Sequence, residues 1–335
     1  MMFVKSWASA LKQRFNDGQF TTIWIATVLL FIIGGVVAPN SLSQSSLLSM
    51  LPYAAILAVI AAGQTLVAQQ AGIDLSVPAV VSLGALFVTK LPSGAPNLII
   101  PAIAAAIASG AFVGAINGVL VSVGRLTAIV ATIGVNSLVL GYIQWYSKGF
   151  PTPAEDVLGA LTAGNVLGVP TIVVAAIVVV AIVHLAVSIT VVGRRFEAVG
   201  ANAAAAAAAR IPVQPYVIAG YAGAGACYAI GGVLLASYLK TPTIFAGETY
   251  LLPSVAAVVL GGTALSGGVG SVVASGVAAV FLTQLGQLVL TLGASSSVQW
   301  IIQAVAIAIG MAWRQLNIGA LVARLWPRRP SGILS

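Results

Sequence analysis

The chain has 335 residues, of which 60% are hydrophobic and only 6% are charged, and its mean hydropathy is +1.09. Soluble domains average about 25% charged residues, so these few charges cannot keep the surface of a water-soluble protein of this size dispersed. The net charge of +8 is spread between apolar runs instead of forming one basic stripe, which argues against a nucleic-acid-binding protein. The composition is that of a polytopic membrane protein.

Apolar runs recur along the whole chain. Residues 1–20 carry basic side chains but no apolar core or cleavage site, so we expect them to remain as an N-terminal segment. A membrane-spanning helix needs about 20 mostly apolar residues, and the sequence accommodates about ten such helices. In chain order, the predicted spans are 21–38, 47–68, 73–90, 98–120, 126–146, 170–190, 214–238, 251–263, 270–291 and 298–313. The sequence therefore predicts an all-α fold in a single transmembrane domain, 1–335, with a C-terminal tail at 314–335.

The basic residues are distributed unevenly between the two sides of these spans. An even number of spans places both termini on the same side of the membrane. If that side is the cytoplasm, eleven basic residues lie inside and only Lys90, Lys148 and Lys240 lie outside. This bias follows the positive-inside rule, so we expect a multi-pass protein whose termini are both cytoplasmic.

The fourth predicted span carries small residues at helical spacing. Gly110, Gly114 and Gly118 form two overlapping GxxxG units, which Ala102 and Ala106 extend. In lipid, such faces allow the backbones of two helices to approach closely. We expect this face to pack against another helix and to have a structural role.

The third predicted span begins with an irregular segment, 69–78, in which a glycine, an acid, a hydroxyl and a proline interrupt the apolar run. Asp74, Ser76 and Pro78 suit a capped helix start. A charged group at this depth also fits a broken helix that lines a translocation path. The sequence leaves both interpretations open.

Polar side chains inside other spans are further candidates for a path. These residues are Gln64, Asn117, Thr132, Asn136 and Gln144. Hydrogen bonds between neighbouring helices would explain each of them equally well.

The longest cytoplasmic loop, 191–213, contains a predicted short helix. Asn202 is a good N-cap, seven alanines follow at 203–209, and Pro212 ends the segment. About two turns of alanine are marginal in water, so the helix has to be held by its own domain or by a partner. A helix lying across the end of the spans suits the groove of another protein.

A glycine-rich turn, 261–270, separates two apolar runs. No Gly-Lys-Ser/Thr follows its glycines, and the whole chain lacks a Walker A motif, so this polypeptide is not itself an ATPase. A serine protease dyad of Ser266 and His184 is disfavoured, because Ala264 stands where a glycine would precede the nucleophile.

These three segments resemble the permease subunits of bacterial ABC importers for monosaccharides of the ribose, xylose, arabinose and galactose group. The string 72–77, Gly-Ile-Asp-Leu-Ser-Val, is similar to the Gly-Gly-Ile-Asp-Leu-Ser-Val-Gly of that family. Residues 197–202 with Ile211 resemble its cytoplasmic coupling segment, and 258–270 resembles its glycine-rich signature. The resemblance covers nearly the whole chain, in the same order and spacing.

Three positions depart from the family pattern. Ala71 and Pro78 stand where the family usually has glycine, which predicts a stiffer break. Arg210 replaces a glycine just before the Ile of the coupling segment, which affects how that segment docks.

The resemblance implies a division of labour between subunits. It implies a second permease copy or a close paralogue, cytoplasmic ATPase subunits that bind ATP and Mg²⁺, and a periplasmic binding protein that delivers the solute. The chain itself would carry no cofactor, metal or catalytic residue, and would lie in the bacterial inner membrane. Closure of the ATPases would be transmitted through a coupling helix at about 198–210.

Candidate residues follow from that resemblance and from the polar pattern. For coupling to the ATPase they are Glu197, Gly200, Asn202, Arg210 and Ile211, and for the path they are Asp74, Ser76, Asn117, Asn136 and Ser266. The leading hypothesis is a permease for a small sugar or polyol. The alternatives are an ion-coupled carrier working alone, which the scarcity of intramembrane acids disfavours, and an ABC permease for nucleosides or branched-chain amino acids.

Overall fold

The computed structural model describes residues 20–315, and almost all of its regular structure is helical. The α-helices are α1 (Thr21–Val37), α2 (Gln44–Gln69), α3 (Val77–Lys90), α4 (Ile99–Ser122), α5 (Ala128–Ser147), α6 (Asp156–Ala163), α7 (Thr171–Ser188), α8 (Val191–Ala201), α9 (Ala203–Ala208), α10 (Val213–Leu239), α11 (Leu251–Leu260), α12 (Val272–Thr291) and α13 (Ser296–Gln315). Short 3₁₀ turns cover Pro39–Leu42, Pro96–Leu98 and Ala246–Tyr250. Two-residue strands, β1 (Asn165–Val166) and β2 (Val169–Pro170), pair antiparallel in a small hairpin.

The predicted all-α membrane fold is confirmed. Within residues 20–315, six helices are long and apolar enough to cross a membrane: α2, α4 with its preceding turn, α5, α7, α10 and α12. Four shorter apolar helices accompany them, at Thr21–Val37, Val77–Lys90, Ala246–Leu260 and Ser296–Ala308. Together the long and short helices fall on the ten predicted spans. The predicted tail beyond Gln315 and the predicted N-terminal segment before Phe20 lie outside the described residues.

Helix α10 lies at the centre of the bundle and packs against α2, α3 and α4. Its contact with α4 uses the small face that the sequence predicted for a helix partner. A methyl group on Gly110 would overlap the carbonyl oxygen of Gly225, and one on Gly225 would overlap the carbonyl oxygen of Gly110. The two backbones therefore touch directly, which is the close approach that small residues permit between helices in lipid.

Helix α2 packs on the opposite side of α10 and is itself almost wholly buried in its second half. Gly63 lies against the backbone of Ala224 and the side chain of Tyr228, which leaves no room for a larger residue. The Tyr228 hydroxyl donates to Oε1 of Gln64 at 2.6 Å. Gln64 thus satisfies a buried hydroxyl between helices, which is the structural role that the sequence left open for it.

Two of the predicted spans are shorter than a full crossing. The third predicted span, 73–90, is helical only from Val77, because residues 72–76 form an irregular segment before α3. The eighth, 251–263, is helical only to Leu260, where the glycine-rich turn begins. Broken segments were expected at both places, and the structure gives their bounds.

The segment between α10 and α11 differs from the simple external loop that the span boundaries predicted. The amide of Gly247 donates to Oγ of Ser82 on α3 at 3.0 Å, and a methyl group on Gly247 would overlap the carbonyl oxygen of Pro78. Residues 241–250 therefore return from the end of α10 to the first turns of α3. Hydropathy did not predict this course, because residues 240–250 contain a lysine, a glutamate, three threonines and a proline.

Three further elements have no counterpart among the predicted spans. Helix α6 and the hairpin lie between α5 and α7, and α8 precedes the predicted alanine helix. They are short or only partly apolar, so a search for runs of about 20 apolar residues does not detect them.

Candidate functional site

Helix α2 ends at Gln69 in a left-handed turn that starts the broken segment. The amide of Ala71 donates to the carbonyl of Ala68 at 3.0 Å, and that of Gly72 donates to Val67 at 3.1 Å. This pair of bonds is the Schellman motif, in which the residue directly after the C-cap lies in the left-handed region. Here that residue is Ala71, with φ of 58°. The preference for glycine at this position in the resembled family has a direct conformational reason.

The carboxylate of Asp74 folds back on the backbone that leads into α3. Its Oδ1 accepts hydrogen bonds from the Ser76 amide at 2.8 Å and from the Ser76 hydroxyl at 2.6 Å. Nδ2 of Asn117, on α4, donates to Ser76 Oγ at 2.8 Å. All three side chains are fully buried. The structure therefore brings together three of the five predicted path residues in one hydrogen-bonded cluster.

Part of this cluster has unused hydrogen-bonding capacity. Oδ2 of Asp74, Oδ1 of Asn117 and the hydroxyl of Tyr221 are buried without a hydrogen-bond partner among the described residues. The Tyr221 hydroxyl lies so close to Gly72 that a methyl group there would overlap it. Buried polar atoms are usually satisfied by protein or by water, so this cluster holds groups that a rearrangement or a water molecule would satisfy.

Side chains of α5 bind the backbone of the same broken segment. Oγ1 of Thr132 accepts from the Leu75 amide at 3.0 Å, and Oδ1 of Asn136, one turn further, accepts from the Ala79 amide at 3.2 Å. The first amides of a helix have no partner within the helix. Asn136 therefore caps α3 from a neighbouring helix, and Pro78, in the first turn, lacks an amide where none is needed.

The predicted coupling helix at 198–210 is divided into two helices. Helix α8 ends at Ala201, and Asn202 then caps α9 by accepting the Ala205 amide at 3.0 Å. The N-cap role of Asn202 is confirmed. The end of α9 is again a Schellman turn, in which Arg210 has φ of 60° and the Ile211 amide donates to Ala206 at 3.0 Å.

Helix α8 lies against the bundle through one face. Gly193, Phe196 and Val199 are buried, whereas Arg194 and Arg195 are exposed. Phe196 packs with Leu66 of α2 and Val187 of α7. The spacing of Phe196 and Val199 already suited a helical face, and this was the sequence signal for α8.

The three segments that the sequence singled out meet at one point beside α8. A methyl group on Gly200 would overlap the carbonyl oxygen of Gln69, and that oxygen accepts the amide of Gly268 at 2.8 Å. A methyl group on Gly267 would overlap the carbonyl oxygen of Gly200. We call Gln69, Gly200, Gly267 and Gly268 the glycine junction. The coupling segment, the end of α2 and the glycine-rich turn are in backbone contact there.

Two side-chain hydrogen bonds reinforce the glycine junction. Nε2 of Gln70 donates to the carbonyl of Phe196 at 2.9 Å, and Nε2 of Gln69 donates to the carbonyl of Gly270 at 3.3 Å. Helix α8 and the glycine-rich turn are therefore bonded directly to the residues that precede Asp74.

The remaining predicted coupling residues lie around α8 and α9. Glu197 is half-buried on α8. Arg210 and Ile211 line a groove of about 440 Å³ that continues to Pro215 at the start of α10. Ser266, predicted for the path, is exposed in the glycine-rich turn, and the structure does not place it with the buried cluster of Asp74.

The sequence did not single out one acidic residue, Glu248, which the structure leaves exposed at the side of the helix bundle. Glu248 belongs to the 3₁₀ turn before α11, directly after Gly247, which touches α3. A cavity of about 420 Å³ opens beside it, between α11, α12 and α13. Glu248 lies only three residues before a predicted span, which was the available sequence signal.

The chain is similar to known membrane permeases over most of its length. Residues 46–312 match the model of a family described as "Branched-chain amino acid transport system / permease component". The ribose import permease protein RbsC of Escherichia coli K12 is 34% identical over 308 residues, which cover 87% of this chain and 94% of that protein.

Two further relatives have similar coverage. The probable ABC transporter permease protein y4mJ of Sinorhizobium fredii is 30% identical over 289 residues, which cover 85% of this chain and 86% of that protein. The fructose import permease protein FruF of Bifidobacterium longum is 30% identical over 300 residues, which cover 85% and 84%. No solved structure matches the chain.

Proposed function

This chain belongs to the family of transport system permease components that it matches over residues 46–312, and from that premise we propose that it imports a small neutral sugar or polyol. It is the membrane-spanning permease subunit of an ABC importer, a transporter component and not an enzyme. This membership argues against the alternative function of an ion-coupled carrier that works without other subunits.

The substrate class rests on the relatives. Those described above include import permeases for ribose and for fructose, each covered over more than four-fifths of its length. Branched-chain amino acids and nucleosides remain the competing solutes within the same architecture, since the family description itself names branched-chain amino acids.

The proposed assembly contains two permease copies, ATPase subunits that bind ATP and Mg²⁺, and a periplasmic binding protein that delivers the sugar. In this assembly the chain crosses the bacterial inner membrane with α8, α9 and both termini on the cytoplasmic side. The exposed face of α8 and the groove at Arg210 and Ile211 would contact the ATPase. The exposed Arg194 and Arg195 are basic, as expected of a cytoplasmic surface.

The structural observation that carries ATP-coupled import is the glycine junction. An importer couples ATP hydrolysis to transport only if the ATPase-binding element and the path are joined through parts that have two arrangements. At the glycine junction, the proposed ATPase-binding helix touches both the end of α2 and the glycine-rich turn without intervening side chains. A movement of α8 would be passed to Asp74 and α3 on one side and to α11 and α12 on the other.

The test is reconstitution with the partner subunits. The chain is purified with its ATPase in proteoliposomes, and ATP hydrolysis and uptake are measured with binding protein loaded with ribose, fructose, leucine or a nucleoside. We expect a sugar-loaded binding protein to stimulate hydrolysis and to support uptake.

Other results would contradict the proposal. Stimulation by leucine or a nucleoside alone would transfer the chain to another substrate class. Gradient-driven uptake by the chain without ATPase would favour an ion-coupled carrier.

A further inference from the structure

The exposed carboxylate of Glu248 lies alongside membrane-spanning helices, well inside the end of the nearest long helix. Gly72, which precedes α3, contacts Tyr221 of α10, and a methyl group on Gly232 of α10 would overlap the carbonyl of Val81 on α3. Helix α3 therefore runs alongside the part of α10 between these two contacts. With about 1.5 Å per residue, Gly232 lies about 10 Å inside the nearer end of 27-residue α10. Gly247 touches Pro78 and Ser82 at this level, and Glu248 is the next residue.

The surface around Glu248 mixes polar and apolar groups. Glu248 and Thr249 are exposed, and the cavity is also lined by Leu252 of α11 and by Trp300 and Gln303 of α13. Leu252 is 74% exposed and Trp300 is 69% exposed. Nε2 of Gln303 donates to the carbonyl of Leu282 at 3.5 Å, which holds this amide beside the cavity.

A lipid-facing position is energetically unfavourable for Glu248. A carboxylate at this depth is costly unless it meets a partner or water, and exposed irregular backbone such as the turn at 246–250 occurs at this depth only where it lines a cavity or protein. No ion pair with Glu248 is formed among the described residues, and the cavity is the space that its side chain borders. The open cavity beside the carboxylate favours water over lipid as its surroundings.

We propose that Glu248, Thr249, Gln303 and Trp300 form a contact site for a neutral polyol on the translocation path. Carboxylate and amide oxygens accept the hydroxyl protons of a sugar, the threonine hydroxyl both donates and accepts, and an indole ring covers an apolar sugar face. The cavity of about 420 Å³ falls within the range of about 300–1,000 Å³ for small-molecule sites. This site rests on the proposed function and adds the residues that the sugar touches.

The experiment combines transport with thiol accessibility. Glu248→Gln keeps the size of the side chain and removes its charge. In the reconstituted system, we expect uptake of ribose or fructose to fall about tenfold or more, while the loaded binding protein still stimulates hydrolysis. Asp156→Asn changes an exposed acid on α6, outside the cavity, and is expected to leave uptake unchanged.

Accessibility is measured by substituted cysteines, since the native Cys227 is the chain's single cysteine and is buried. A membrane-impermeant maleimide is expected to label Glu248→Cys and Thr249→Cys, and saturating ribose or fructose with the complete assembly is expected to slow labelling. Val178→Cys, at an exposed apolar position of α7, is the lipid-facing control and is expected to remain unlabelled.

Three outcomes would overturn the proposal: full sugar uptake by Glu248→Gln, no labelling of Glu248→Cys and Thr249→Cys, or labelling that the sugar leaves unchanged. If Glu248→Gln does not assemble with the ATPase, labelling and protection of Thr249→Cys decide the question. Failure of the proposed function is seen separately, as absence of sugar-stimulated hydrolysis and uptake in the unmodified chain.

Discussion

At the scale of single residues, the backbone conformation shows what the departures from the resembled family at Ala71, Pro78 and Arg210 do to the structure. Ala71 and Arg210 both have left-handed φ angles, of 58° and 60°, and both end helices through the same pair of hydrogen bonds. Glycine adopts this conformation without the Cβ strain of other residues. Pro78 differs from them, because it lies in the first turn of α3 where a missing amide costs little. The sequence predicted a stiffer break at both Ala71 and Pro78, and the local strain lies at Ala71.

Replacing Arg210 by glycine should stabilise the protein. Relief of left-handed strain of about 1–2 kcal/mol is partly offset by the greater freedom of glycine in the unfolded chain, about 0.4–1 kcal/mol. We expect Arg210→Gly to raise the apparent Tm in detergent by about 1–2 °C, measured by a fluorescence thermal shift. Arg210→Ala removes the charge but keeps the strain, so it should not reproduce the increase.

Ala209 provides the matched control, because it precedes Arg210 and has a φ of −80°. Glycine at position 209 relieves no backbone strain and increases the conformational freedom of the unfolded chain, so Ala209→Gly should lower the apparent Tm. Equal shifts for Ala209→Gly and Arg210→Gly would contradict the explanation from left-handed strain.

At the scale of elements, hydropathy and helix-end signals were sufficient for the spans but not for their contacts. The small face of α4 and the cap at Asn202 could be predicted because each depends on neighbouring residues in the chain. The contact of Gly200 with Gln69 and Gly267 joins residues that are far apart in sequence. Contacts between residues so far apart leave no pattern in the local sequence. The sequence therefore indicated three separate segments, and the structure shows that they touch.

The glycine junction predicts an uncoupling substitution. A methyl group on Gly200 would overlap the Gln69 carbonyl oxygen, which is backbone and cannot rotate away. We expect Gly200→Ala to insert normally but to reduce sugar-stimulated ATP hydrolysis and uptake about tenfold, since it shifts α8 relative to α2. Hydrolysis and uptake in proteoliposomes, with the amount of assembled complex held equal, provide the measurement.

Gly134→Ala is the control for this change. Gly134 also lies within a helix, but a methyl group there would meet no other atom within 4 Å. It should therefore behave as the unmodified chain. Normal coupling in Gly200→Ala would show that α8 does not act through the junction. Charge reversal by Glu197→Lys tests the neighbouring part of α8, and we expect it to uncouple as well.

At the scale of the whole molecule, the number of apolar runs predicted the architecture but not the depth of each residue. Residues 241–250 contain too many polar groups to resemble a span, yet Gly247 is buried against α3. The amide of Gly247 donates to Ser82 of α3, a contact between distant parts of the chain that hydropathy does not register. Glu248 was missed for this reason, although the scarcity of acids in the chain made every acid near a span conspicuous.

The uneven distribution of basic residues predicts which side of the membrane each end of the helix bundle faces. Two exposed residues, one at each end of the bundle, allow this orientation to be tested. Ala204 is exposed on α9, four residues after Gly200 of the glycine junction. Ser295 is exposed in the turn after α12, whereas the other end of α12 follows the glycine-rich turn of the junction. If the basic residues face the cytoplasm, an impermeant maleimide should label Ala204→Cys in inverted vesicles only and Ser295→Cys in right-side-out vesicles only. The buried Cys227 keeps the background low. The reverse pattern would place α8 and α9 outside the cell, where no ATPase could reach them, and labelling of both positions from one side would contradict the crossing of α12.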